Sequence, residues 1–411
     1  MIDILRSTDD RIDALLAPRR DERGVVGRRV ARIVEDVRSR GDAAVRRYAA
    51  ELDGLSGEPE LAAAEIARRA KTAPAAVRSA IRVAARNIER VARAQVPGGH
   101  RVRVAPGVTV EQRVRPLDRV GCYVPGGRHP LPSTLLMTAI PARVAGVREI
   151  VAVCPRPDAA VCAAARQAGV SRLFQLGGAH AVAALAFGTE TVPRVDRIVG
   201  PGNKYVAAAK DYVSAECGID FHAGPSEILI VSDRGNPEWI AADLIAQAEH
   251  DPDARALLVT PVMRLAHMVV AQVARQLPRR GPARESLRRN GAVIVTRTLA
   301  EALELATRMA PEHLVVDDEA QAAGVACAGS IFVGPHTAQV AGDYAIGSNH
   351  VLPTGGAARF RGGLHAADFV RVVTVQRLTK RGLAALGPTV TALARAEGLT
   401  AHARSVEVRL P

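Results

Sequence analysis

A chain of 411 residues is too long for one small core and calls for two or more globular units. Hydrophobic residues make up 48% and aromatics only 3%, so the cores are built from Ala, Val, Leu and Ile; this suits α/β layers and leaves few platforms for stacking single-stranded bases. The net charge of +13 is almost all arginine, with lysine only at Lys71, Lys204, Lys210 and Lys380. The arginines are spread along the chain, which favours anionic small molecules over nucleic acid as partners.

Residues 1–95 read as helices: RRVARIVEDVRSRGDAAVRRYAAEL and AAVRSAIRVAARNIERVARAQ repeat apolar residues at helical spacing. From Val102 to Val114 the pattern alternates as a strand does. From 116 onward, strand, turn and helix follow one another. Three junctions stand out: VGCYVP before Gly126-Gly127, RLFQL before Gly177-Gly178, and VDRIV before Gly200-Pro201-Gly202-Asn203, each followed by an apolar helix. Glycine after a strand allows a tight turn, and the helix start that follows favours anions. Repetition of this unit predicts parallel sheets covered by helices. The complete G-x-G-x-x-G fingerprint is missing from all three. EILIVSD, ARALLVT, GAVIVTRT and AGSIFVG carry the alternation to about residue 334, a second α/β unit completed by segments before 116. A Gly-rich stretch after Gly342 and two helical segments end the chain. No internal repeat is evident.

The five cysteines are odd in number and widely spaced, without C-x-x-C, which argues against a disulfide framework or a cysteine zinc site. MIDILRSTDDRID carries acids where a signal peptide would be apolar, and no run reaches the length of a transmembrane helix. A reduced, cytoplasmic location and no membrane association are expected.

Polar groups gather at element ends. Gln247 and His250 close the helix that Asn236 and Pro237 open, three residues apart on one face. Glu312 and His313 follow Pro311, Asp343 and His350 lie in the Gly-rich stretch, and Glu397 and His402 flank Gly398. Imidazoles with a carboxylate suit zinc, and Gln247 adds an amide oxygen. Spacing alone leaves the alternatives open for each of them: loop cap, turn brace or surface residue.

Longer motifs carry more. YVPGG, GPGNKYVAAAK, AGPSEILIV, DLIAQAEHDPDA, APEHL, GDYAIGSNHVLPTGGAARF and EGLTAHARSVEVR, in this order from about residue 30 to the end, resemble histidinol dehydrogenase. The resemblance implies NAD-dependent oxidation of L-histidinol to L-histidine through histidinaldehyde, the last step of histidine biosynthesis, with one zinc per subunit in a homodimer. It implies zinc ligands Gln247, His250, Asp343 and His402, and a catalytic pair, Glu312 to activate water and His313 to take protons. Ser226, His350 and Glu397 would hold substrate together with His313 and the metal ligands, and Tyr123, His180 and Asn203 would contact NAD⁺. The implied layout is two incomplete Rossmann-like domains with small terminal helical segments. Residues 1–25 form the N-terminal helical segment, and 26–115 with 232–365 a discontinuous domain carrying zinc and the catalytic pair. Residues 116–231 bind NAD, and 366–411 form a helical tail exchanged between protomers.

Two departures from the family pattern bear on this. His180 stands at the GGA-x-A turn where the family usually has Gln, and Arg128-His129-Pro130-Leu131 replaces T-A-x-Y after YVPGG. A sister zinc/NAD dehydrogenase acting on another polyol or a sulfonated diol is the alternative enzyme. A basic binding protein without catalysis is opposed by the intact Glu312-His313 pair. Cysteine catalysis through Cys122 is weighed against packing, the commoner role of a small buried Cys.

Overall fold

The computed structural model describes residues 2–17, 23–126, 131–221 and 224–410; Arg128 and His129 lie outside the described residues. Two six-stranded sheets organise the chain. Sheet I contains, in chain order, Arg119–Tyr123, Glu149–Val153, Arg172–Phe174, Arg197–Val199 and Gly218–Ile219. Across the sheet these run third, second, first, fourth, fifth, all parallel, and Glu60–Leu61 adds an antiparallel edge beside the third. Sheet II repeats that order with Glu227–Val231, Arg255–Thr260, Gly291–Val295, His313–Val316 and Ser330–Val333. Its added edge strand, Asp3–Arg6, is parallel. Each sheet is thus five strands of a doubly wound order plus one borrowed from the N-terminal region. The repeat in topology has no counterpart in evident sequence repetition.

Strands buried on both faces explain the unbroken apolar runs read from the sequence. Every residue of Glu227–Val231 and of Arg255–Thr260 is buried. On one face of sheet I pack Ile81, Ala85 and Ile88 of the helix Ala75–Gln95 and Leu135 and Ile140 of Pro132–Ala145. On the other pack Val34 and Val45 of Arg23–Tyr48 and Val182 and Leu185 of Gly178–Phe187. Sheet II is covered by Pro237–Ala248 and Met263–Gln276 on one side and by Arg11–Leu16 and Leu299–Met309 on the other.

The expected domain limits need correction in four places. Helices within residues 26–95 cover sheet I, not sheet II; an amphipathic stripe dictates burial but not which sheet buries it. The first 25 residues are not a separate helical segment, since Asp3–Arg6 pairs with Gly291–Val295. Strand Glu227–Val231, placed with the NAD-binding unit, is the centre of sheet II. The tail is not all helix: after the turn Ala366–Phe369, strand Val370–Leu378 pairs antiparallel with Val108–Pro116, which pairs with His100–Ala105. The helices Lys380–Ala396 and Thr400–Glu407 follow it and pack on each other. This arm leaves Val102, Val104, Val372, Leu378, Leu393, Leu399 and Val408 exposed. Among the described residues no helix is long and apolar enough to cross a membrane.

Candidate active site

The polar cluster lies at the amino-terminal edge of sheet II. Glu227 and His313 are the first residues of neighbouring parallel strands. The Glu227 amide donates to Glu312 Oε2 at 2.8 Å, and its carbonyl accepts from His313 Nδ1 at 3.0 Å. With Nδ1 committed, Nε2 is the atom of His313 left to exchange a proton. It faces Asp343 Oδ1 at 3.7 Å, beyond hydrogen-bond length, and has no hydrogen-bond partner. Glu312 and His313 are 5% and 4% exposed, their charged atoms 3.6 Å apart.

Burial sets the electrostatics of this pair. It pushes the Glu312 carboxyl up to about 7, although the His313 charge pulls the other way. Burial also favours the neutral His313 ring, but Glu312 and Asp343 outweigh it and hold the ring at about 9. The two carboxylates therefore stabilise the imidazolium that proton uptake creates. Asp343, itself buried, is drawn below the usual carboxylate range by His313 and by a 2.8 Å bond from Gln339 Nε2. His350 donates from Nδ1 to the Asp343 carbonyl at 3.0 Å, and its Nε2 lies 3.1 Å from Thr134 Oγ1 on the sheet I side. Burial lowers the pKa of this ring, and the charges of His313 and His250 add to the effect against the pull of Asp343, so these four residues share one electrostatic site.

Gln247 is the most telling ligand candidate. It is 0% exposed, and neither atom of its amide has a hydrogen-bond partner. Such orphaned groups cost about 1–3 kcal/mol each in a folded chain. A metal ion accepting the amide oxygen would offset part of that cost. His250, one turn on and exposed, turns Nδ1 to the Gln247 carbonyl at 3.2 Å, which leaves Nε2 outward. Gln247, His250 and Asp343 thus fit a zinc ion in donor type, and Ser226 immediately precedes Glu227 at the same edge. Glu397 and His402 do not join them within this chain: both are exposed on the C-terminal arm. Among the described residues, no three His, Cys, Asp or Glu side chains of one chain are gathered as a metal site.

The residues expected at a cofactor lie at the carboxyl edge of sheet I. Tyr123 is 3% exposed, and its hydroxyl accepts from the Gly178 amide at 2.9 Å. Asn203 caps the helix Lys204–Val213, its side-chain oxygen accepting from the Tyr205 and Val206 amides. The turn before it is braced by a buried ion pair: Lys210 Nζ bonds Asp220 and the Gly200 carbonyl, and Asp220 accepts from the Gly200 amide. Gly200 has φ +117, and a Cβ there would overlap the Tyr123 carbonyl, so only glycine fits. His180 is wholly buried and bonded through Nε2 to Asp53 at 3.0 Å. Burial holds the Cys122, Cys154 and Cys217 thiols up at about 12 and Cys162 at about 11, unsuited to nucleophilic work near neutrality.

Sequence reasoning missed Glu227, Thr134, Gln339 and Asp53. Glu227 had a signal, an acid entering an otherwise apolar strand. Gln339 sits four residues before Asp343 on one helix face. Thr134 and Asp53 act across elements distant in sequence and had none.

Fold and site together define an α/β protein with an imidazole and a carboxyl buried side by side at a sheet edge, groups suited to acid–base chemistry. The histidinol dehydrogenase family model matches residues 17–410. The chain is 47% identical to a histidinol dehydrogenase of Rhizobium meliloti over 97% of this chain and 95% of that one. It is 48% identical to one of Methanothermobacter thermautotrophicus over 93% and 92%. The crystal structure of histidinol dehydrogenase from Elizabethkingia anophelis superposes with a TM-score of 0.93 at 34% identity, covering 100% of this chain and 98% of that one. The chain belongs to the histidinol dehydrogenase family, oxidoreductases of histidine biosynthesis. Histidinol is thereby favoured over a sulfonated diol as substrate.

Proposed function

We propose that the chain carries out the NAD⁺-dependent, four-electron oxidation of L-histidinol to L-histidine through histidinaldehyde. The observation that carries the reading is the buried Glu312–His313 pair facing Asp343, together with the orphaned Gln247 amide on the helix that packs against the one carrying Asp343. In the first step the neutral form of His313, whose share grows as pH rises toward about 9, takes the hydroxyl proton at Nε2 while hydride leaves the carbinol carbon for the nicotinamide. In the second, Glu312 takes a proton from water as it adds to the aldehyde carbon, and His313 returns its proton to the former carbonyl oxygen, which leaves the ring neutral again. The resulting hydrate passes its hydride to a second NAD⁺, and His313 again receives the hydroxyl proton. Zinc, when bound, supplies a template that orients the amine and imidazole of the substrate. Gln247, His250 and Asp343 would hold it, and Ser226 and His350 would line the substrate.

His402 of the partner subunit would be the fourth ligand, with the partner's Glu397 beside the substrate. The exposed apolar residues of the arm support this, because such a surface favours burial against another chain. The protein would then be a homodimer with two shared sites, working in the cytoplasm, where its free cysteines stay reduced.

NADH formation with histidinol, set against a panel of other alcohols, tests the substrate; turnover of another alcohol in preference to histidinol overturns it. Mixing His402→Ala with His250→Ala subunits tests the shared site. One site of each mixed dimer then carries both lesions and the other neither, so activity returns. Absent activity despite proven subunit exchange contradicts the sharing.

A further inference from the structure

Opposite the catalytic groups, the carboxyl edge of sheet II holds a cavity of about 340 Å³. It opens at the switch point, between the strands Glu227–Val231 and His313–Val316, where doubly wound sheets ordinarily take ligands. Ile230 and Val315 line it from the sheet. The helix Pro237–Ala248 adds Trp239, Ile240 and Asp243, which share one face. None of the described residues read as holding metal, substrate or cofactor borders it. Its volume is at the low end for small-molecule pockets and suits a ligand of amino-acid size.

The donors at this edge are already spent. The Asp233 and Arg234 amides donate to Asp317, the Gly235 amide to Ser232 Oγ at 2.9 Å, and the Glu238 amide to the capping Asn236 at 2.8 Å. The Arg234 guanidinium is paired with Asp318. A phosphate or carboxylate would therefore find none of these groups free. Asp243 is the opposite case. Its carboxyl has no hydrogen-bond or ion-pair partner among the described residues, and burial alone pushes it up to about 6. Leaving a partly buried carboxylate without a partner is costly, and a cation beside it offsets that cost. Trp239, 46% exposed, lines the same cavity. Indole is the side chain that attracts cations best over its face.

We propose that this crevice is a second ligand site, built for a small organic cation that joins an ammonium group to a flat apolar ring. The ammonium pairs with the Asp243 carboxylate, and the ring packs on Trp239 and Ile240. A neutral analogue of the same shape keeps only the packing, and an anion faces the carboxylate with the neighbouring amides spent. The site is independent of the NAD⁺ and zinc readings, because it shares no lining residue with them.

Trp239 is the only tryptophan of the chain, so its emission reports locally on this crevice. The full-length protein is titrated with benzylamine, benzyl alcohol and phenylacetate at about pH 8, where an ammonium and the Asp243 carboxyl are both charged. Benzylamine is expected to change the emission saturably, with a Kd at least about tenfold below those of the other two, the worth of one charge-assisted contact. Asp243→Asn, which keeps the shape, should raise the benzylamine Kd about tenfold or more and leave NADH formation from histidinol unchanged. Trp239→Leu, read by calorimetry, is the second variant and should raise it about threefold. Saturating histidinol should leave the benzylamine titration in place. Equal Kd values for the three probes, an unchanged Kd in Asp243→Asn or Trp239→Leu, no saturable binding, or displacement by histidinol would each overturn the proposal.

Discussion

Sheets I and II share a strand order yet present opposite edges to function. Sheet I places its glycine junctions, Tyr123, His180 and Asn203 at the carboxyl edge, where open α/β sheets ordinarily take ligands. Sheet II places Glu227, Gln247, Glu312 and His313 at the amino edge. At the switch point on its carboxyl edge, between the strands ending at Val231 and Val316, Asp317 ties the two strand ends together, its oxygens accepting from Ser232 Oγ at 2.9 and 3.0 Å and from the Asp233 amide at 2.9 Å. Strand order therefore does not choose the working edge. The residues at strand ends do, and function follows the site rather than the fold. The segment around His350 joins the two edges: Asn349 bonds the Met137 carbonyl, and His350 reaches Thr134.

The largest expected effect falls on the sheet II edge. Glu312→Gln should slow oxidation of histidinaldehyde by about 10²–10⁴, the worth of a general base, and the alcohol step far less. Single-turnover assays begun from histidinol should then yield one rapid NADH instead of two. Equal slowing of both steps would break the division of labour drawn between Glu312 and His313.

Next comes the metal. His250→Ala should retain the fold and lose zinc on dialysis, because an exposed helix-end ring leaves no core cavity. Gln247→Leu should destabilise the zinc-loaded protein but not the chelated one, since it removes the orphaned amide. Metal analysis and thermal melts with and without chelator decide both. A zinc-replete His250→Ala protein would remove that residue from the ligand set.

The carboxyl edge of sheet I can be loosened separately. Lys210→Met strands Asp220 in the core beneath the Gly200 turn and should lower stability by about 3–5 kcal/mol in denaturant melts. NAD⁺ affinity should fall with it while the zinc content holds. Loss of zinc in this variant would show that the two edges are not independent.

The smallest effect concerns Asp243, on the helix that carries Gln247. Burial raises its carboxyl from 3.8 to about 6. The folded protein thus prefers the protonated form, so this group's contribution is full below about 3.8 and is lost as pH rises through about 6. Asp243→Asn should match wild type near pH 4 and exceed it by on the order of 1–2 kcal/mol near pH 7.5, within the ceiling set by about two pKa units. Equal stability at both pH values would show that the carboxyl is solvated.

How much of this was legible in the sequence divides along physical lines. Fully buried strands such as EILIV and RALLVT announce themselves because parallel sheets need apolar residues on both faces. The glycine junctions were readable because glycine alone satisfies their turns. Which sheet the helices of residues 26–95 cover was not readable, since an apolar stripe names no partner. The motif resemblance singled out Glu312 and His313, but the burial that raises the Glu312 carboxyl, and the nearness of Glu312 and Asp343 that raises the His313 ring against its own burial, are supplied only by the fold. The placement of His180 against Asp53, 127 residues away in sequence, likewise depends on tertiary packing.

The separation of chemistry on sheet II from cofactor on sheet I is tested most directly by NAD⁺ titration into His313→Asn. Turnover should fall by about 10² or more, the worth of a general base, with Kd for NAD⁺ within about twofold of wild type. Loss of NAD⁺ binding in that variant, with the fold intact, would contradict it.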